Sequence, residues 1–178
     1  MRRDGGGFRM LRLVRTNVRR VGVVGVAWGN TVAADFDDFN EVLDRIHLAL
    51  DAFFKGDPEP AKAAYSHRDD VSLANPFGPP AVGWDAVSAA MERAAAHYRD
   101  GRATSFERVA GHATRELAYI VEIEHYLAKV GGADRESPVA LGVTTVVRRE
   151  EADWKIVHRH ADPITTPQAA GTVIGKSE

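Results

Sequence analysis

The stretch "TTVVRREEADWKIVHRHADP", Thr144 to Pro163, decides how this chain folds. β-branched residues fill its first part. Charges from Arg148 to Asp153 interrupt it, and Trp154 opens a second apolar run that Pro163 ends. Two β-rich runs around a short polar turn form a hairpin, and a proline stops the second strand because it cannot donate to a ladder. Side chains two apart on a strand point the same way. Trp154, Ile156, His158 and His160 are therefore expected on one face, with Lys155, Val157, Arg159 and Ala161 on the other, if no bulge intervenes. Trp154 and Ile156 are large and apolar, so their face should meet the core, with both histidines further along it toward an opening.

The residues upstream continue the pattern. "PVALGVTTVVRRE" and "ELAYIVEIEHYLAKV" read as long strands, and "TSFERVAGHAT" as a third. Before them the period changes. Phe36, Phe39, Val42, Leu43, Ile46, Leu50 and Phe53 recur at three and four, the spacing of one helix face, with Asp35 as its expected N-cap and Gly56 as its stop. A short second helix is expected over Pro60 to Ser66. A strand from Val71 to Asn75 and a Pro/Gly turn should follow, then a third helix from near Asp85 that Gly101 stops, with Tyr98 near its end. Three helices followed by three or four long antiparallel strands make an α+β fold, with helices on one face of a sheet. Long bent strands curl, so a partly closed cone around the helices is expected, and its open end would be a pocket.

Composition narrows the function. The 178 residues hold no cysteine, which excludes disulfides, thiolate chemistry and cysteine-based zinc sites. Met1 to Ala34 carries seven arginines against one aspartate, while the whole chain is −2, so the body is acidic and poorly suited to nucleic acid. Residues 1–34 therefore read as a basic appendage: a disordered extension or residues upstream of the true start. Residues 35–166 form the domain and 167–178 a tail. Arg19-Arg20 before "VGVVGVAW" also has the order of a twin-arginine export leader, so a cytoplasmic location carries export as its alternative. No apolar run reaches the roughly 20 residues of a membrane span. There is no Gly-rich phosphate loop, no G-x-G-x-x-G and no G-x-S-x-G elbow.

Three stretches resemble the SnoaL-like branch of the nuclear transport factor 2-like superfamily, over roughly Asp35 to Thr166. They are the helix ending in "FFKGD", the segment "VSLANPFGPPAVGWDAVSAAM", and "TTVVRREEADWKIVHRHADP" with its Trp-led strand and H-x-H. The final hairpin is also similar to that of the kinase II association domain, of the same superfamily. The resemblance implies the α+β cone. It leaves the activity open among isomerases, cyclases, dehydratases, epoxide hydrolases and non-catalytic binding or oligomerising domains.

Within that frame His158 and His160 are the candidate acid/base residues, because imidazole titrates near neutral pH. The alternative is that one ties strands together while the other stays half-exposed. A metal reading fails for want of further ligands: no His follows His160 and no Glu continues the motif, so no metal or other cofactor is expected. Asp162, Glu122 and Glu124 are the carboxylates that could tune a histidine. The opposite face of the Glu122 strand is the more apolar, so both glutamates are expected toward solvent, paired with Arg148 or Arg149, although a mixed face can also line a pocket. Asn75, Trp84, Tyr98, Glu122 and Asp162 are the candidate ligand contacts, each with a plainer alternative in turn chemistry, core packing or solvation. Val143, Thr145 and Val147 are expected to form an exposed β-rich face that favours a second copy, hence a homodimer. The expected function is binding of a small apolar molecule, with cofactor-free acid/base turnover or non-catalytic sensing as its two forms.

Overall fold

The computed structural model describes residues 30–173, with side chains from Phe39 to Thr172. The leader before Asn30, and any export signal in it, lies outside the described residues. The chain runs α1 (Asn30–Phe53), α2 (Glu59–Ala64), β1 (Ser72–Asn75), β2 (Gly78–Val82), α3 (Trp84–Ala95), β3 (Tyr98–Ala113), β4 (Leu117–Val130), β5 (Ser137–Glu150) and β6 (Asp153–Asp162), with a 3-10 turn at Ala170–Val173. The six strands form one sheet in the order β2-β1-β6-β5-β4-β3. Every neighbour is antiparallel except β1 and β6. The fold is the expected α+β arrangement, with a mixed rather than purely antiparallel sheet.

Three local expectations are corrected. The first helix begins at Asn30, upstream of Asp35, because Thr31 to Ala34 contains no breaker and two good helix-forming alanines. "GPPAV", expected as a turn, is the edge strand β2, where prolines are tolerated because no ladder partner needs their missing N–H. The third helix ends at Ala95, and Tyr98 opens β3 instead of closing the helix.

The helices pack on the sheet's inner face. Phe39, Leu43, Ile46 and Leu50 of α1 are buried with Val87 and Met91 of α3 and with Trp154 and Ile156 of β6. A second cluster gathers Phe54, Tyr98, Tyr126, Leu141, Val143 and Ala161, and Phe53 packs against both. β3 curls around the end of α1 through three irregularities of register, which is how a bulged edge strand gains twist. At the first of them the Gly101 N–H donates to the Phe54 carbonyl at 3.0 Å, and a Cβ on Gly101 would lie 2.2 Å from that oxygen. Only glycine allows the approach.

The sheet faces differ from the expected ones at two places. Along β4 the buried set is Ala118, Ile120, Glu122, Glu124, Tyr126 and Ala128, so the face holding the glutamates points inward. Val143, Thr145 and Val147 of β5 are also buried, which removes them from the surface. The partly exposed strip is the other one: Tyr119, Val121, Ile123 and Leu127 of β4 beside Thr144 and Val146 of β5.

Candidate ligand pocket

One residue in β6 decides the site. Val147 pairs with Ile156 and Val146 with His158, so Val157 is an extra residue with no cross-strand partner. It is a β-bulge, and it shifts the alternation by one. Trp154 and Ile156 point inward before it, and Arg159 and Ala161 point inward after it. The expected shared face of Trp154, Ile156, His158 and His160 is therefore corrected: the histidines lie on the outer side. His158 Nδ1 is 2.9 Å from the Ser72 hydroxyl of β1. Burial, and then the neighbouring His160, hold its pKa below the ordinary histidine value. His160 is exposed, with Nε2 3.7 Å from Asp162.

Arg159 takes the inward place. Its Nη2 donates to Glu124 Oε2 at 2.6 Å, and the Tyr126 hydroxyl donates to the same oxygen at 2.6 Å. Glu124 is 1% exposed and Arg159 7%. Burial opposes the guanidinium charge, but Glu124, Tyr65 and Tyr126 outweigh it and hold the pKa above the ordinary arginine value. The Arg159 Nε–H is buried and has no hydrogen-bond partner among the described residues. A second inward pair lies one step along β4: His47 Nε2 of α1 is 2.9 Å from Glu122 Oε2, and the His47 ring stacks on Phe106 at 3.6 Å. Glu122 and Glu124 thus pair with His47 and Arg159. Arg148 instead binds Asp70 and Glu150, and the Arg149 guanidinium lies over the Trp154 ring.

A cavity of about 40 Å³ opens between α1, α2, α3 and the sheet. Its walls are mostly apolar, among them Ile46, Leu50, Phe53, Met91, Leu141 and Ile156. Its polar members are Arg159, Tyr65, Tyr98 and Asn75. Among the described residues, neither the Tyr65 nor the Tyr98 hydroxyl hydrogen-bonds another side chain. Burial raises both phenols to about 12. They remain protonated donors at any ordinary pH. Asn75 uses its side-chain oxygen to accept the Phe77 N–H at 2.8 Å, which leaves its amide hydrogens as donors.

Of the seven residues singled out in the sequence, Asn75 and Tyr98 border this cavity. Glu122 is buried against His47 outside the lining. Trp84 stacks on His67 with centroids 3.8 Å apart, and Asp162 accepts the Ile164 N–H at 2.7 Å in a turn. His158 and His160 face outward. Sequence reasoning missed Arg159, Tyr65 and His47. Arg159 was concealed by the bulge. Tyr65 just past α2 and His47 within α1 belong to helical segments whose sequence carries no site motif. Among the described residues no three His, Asp or Glu side chains gather where they could hold a metal, and no helix is long and apolar enough to cross a membrane.

A curled sheet closed by three helices over a small, mostly apolar cavity defines an α+β cone. The SnoaL-like domain model matches residues 40–165, and the chain belongs to that family. No curated protein matches it. Several solved structures share the fold at low identity. A nuclear transport factor 2-like superfamily protein from Salmonella enterica serovar Typhimurium has 17% identity and a TM-score of 0.62, covering 81% of this chain and 99% of that one. A candidate dehydratase of the same family from Streptomyces avermitilis has 20% identity and a TM-score of 0.60, covering 75% and 99%. A ketosteroid isomerase-like protein from Erwinia carotovora atroseptica has 17% identity and a TM-score of 0.57, covering 78% and 100%.

Proposed function

We propose that this protein binds a small, largely apolar molecule in the cavity between its helices and its sheet. The observation that carries the reading is the pairing of apolar walls with a buried arginine and two phenols that bond no other side chain. Few convergent polar groups in an apolar cleft is the usual chemistry of a ligand site. The volume matches a compact ligand, and anything larger than a few heavy atoms has to displace the lining. Among the described residues no carboxylate and no histidine borders the cavity, so its described walls offer no acidic or imidazole proton acceptor for turnover. Binding without turnover is therefore the better supported form. In an enzymatic form, Tyr65 or Tyr98 would be the proton donor in place of His158 or His160. The relatives called dehydratase and ketosteroid isomerase-like keep that form in view.

The test is a small-molecule panel read by ligand-observed NMR, on the protein and on Ala64→Leu. Ala64 lines the cavity and is only half-buried, so leucine there fills space with little disturbance of the core. Binding that Ala64→Leu abolishes supports the reading. Binding that survives unchanged places the ligand elsewhere and overturns it.

We further propose a homodimer through the outer strip of Tyr119, Val121, Ile123 and Leu127. Tyr119 is 40% exposed and the adjacent Leu117 48%, an apolar strip of the kind that partners cover.

A further inference from the structure

We infer that the tip of the β1–β2 hairpin, Asn75 to Gly78, is a hinged gate over the cavity, latched by the Phe77 ring against His97. The inference rests on the binding reading above and says how a guest reaches that site. Three observations define the gate.

The first is the size of the closed cavity. At about 40 Å³ it is too small for a guest of more than a few heavy atoms, so some part of its wall has to move. Of the described lining residues only Pro76 and Phe77 are exposed, Phe77 to 42%. The rest are buried or half-buried, and most belong to the two apolar clusters. Moving those would open a close-packed core.

The second is the attachment of the tip. β1 pairs with β6 from Ser72 to Ala74 and no further. Its register with β2 is irregular between Leu73 and Asn75, and β2 is the edge strand. Beyond that irregularity Asn75 pairs with Gly78, and the Asn75 side chain accepts the Phe77 N–H at 2.8 Å. Both interactions lie inside the tip and would travel with it. The irregular step is therefore the hinge.

The third is the latch. The Phe77 ring centroid lies 4.6 Å from that of His97 and meets Tyr98 edge-on at 5.6 Å. His97 stands between α3 and β3, exposed and outside the lining. Its N–H donates to the Ala94 carbonyl at 3.1 Å, and its carbonyl accepts the Gly131 N–H at 2.9 Å. The imidazole is thus a fixed post and the Phe77 ring the moving part. Tyr98 is a buried residue of the lining, so lifting the ring from it uncovers the cavity. The latch closes over an empty cavity and closes again over a guest. Its loss therefore speeds entry and exit alike and cancels from the affinity.

His97→Ala removes the latch without altering the lining, and two readouts test it. In protein labelled with 4-fluorophenylalanine, fluorine relaxation dispersion should show the Phe77 ring exchanging between a latched and a lifted state. Phe77→Leu assigns the signal. The lifted population should rise roughly threefold to tenfold in His97→Ala, the factor an aromatic contact supplies. With benzene as the guest, NMR line shapes give both rates. Each should rise by the same roughly threefold to tenfold factor, while Kd stays within about twofold. A Phe77 signal that shows no exchange and ignores His97→Ala, or benzene rates equal in variant and parent, would overturn the gate while leaving the pocket in place. If benzene does not bind, that failure falls on the binding reading, and the guest-free fluorine readout still decides the gate.

Discussion

Glu124 of β4 and Arg159 of β6 meet at 2.6 Å across the intervening strand β5, and both are almost wholly buried. The pair is a bridge over the inner face of the sheet, with Tyr126 hydrogen-bonded to the same carboxylate oxygen. Removing one member strands a charge in the core. Arg159→Met and Glu124→Leu should each destabilise the fold by about 3–5 kcal/mol, while the double substitution should recover most of the loss. Urea denaturation of the three variants measures this directly.

Alkali should loosen the fold. Burial raises the Tyr65 phenol from 10.0 to about 12, so the folded chain holds that proton more tightly than the unfolded one. The resulting stability is intact below pH 10 and is lost as the pH rises through 12. The loss is on the order of 2–3 kcal/mol for this one group. Denaturation midpoints taken from pH 9 to 12 should fall in the parent and fall less in Tyr65→Phe.

The seam between α1 and β3 depends on one missing side chain. A methyl on Gly101 would meet the Phe54 carbonyl oxygen at 2.2 Å and the Phe54 Cβ at 2.7 Å. Neither the carbonyl nor the Cβ, bonded directly to the backbone, can move aside freely. Gly101→Ala should cost about 2 kcal/mol or more, read as a lower thermal midpoint with the helix content retained.

The outward histidines should be dispensable for the cavity. His158→Ala combined with His160→Ala is expected to leave the affinity of the panel ligand that Ala64→Leu abolishes within about twofold of the parent. A tenfold loss would place the H-x-H at the binding site. In the same samples, His160→Ala alone should move the His158 imidazole titration upward, because it removes a neighbouring charge that opposes protonation.

Charge on the outer strip should separate the proposed dimer. Ile123→Glu places a carboxylate in the outer strip, beside Val121 and opposite Gly142 of β5, and sedimentation should then show a monomer. A parent chain that already sediments as a monomer at micromolar concentration would remove the proposal.

The sequence conveyed the elements well and their orientation unevenly. Helix α1 was legible because seven apolar residues repeat at helical spacing, and the strands were legible because β-branched runs end at turns. Glu122 and Glu124 misled because the outer face of β4 is at least as apolar as the inner one. Tyr119, Val121, Ile123 and Leu127 face out, while two carboxylates face in with partners from other elements. His47 and Arg159 lie 75 and 35 residues from the glutamates they pair with, which local pattern cannot convey. Asn75 and Tyr98 were found for a simpler reason: one ends a strand at a turn, and the other follows a helix near the expected mouth.

Val157 gives the last strand a reading frame. Ahead of it the odd or even position of a residue means one thing, and after it the opposite. The hexapeptide from Val157 to Asp162 therefore encodes two alternative pocket floors, one of arginine and alanine and one of two histidines. Straightening the bulge with Val157 retained would exchange them, whereas deleting Val157 would not, because His158 would take its outward place and Arg159 would still point inward. In a fold with this device, the local course of one strand decides which of two sets of side chains faces the core, with the composition of the strand unchanged.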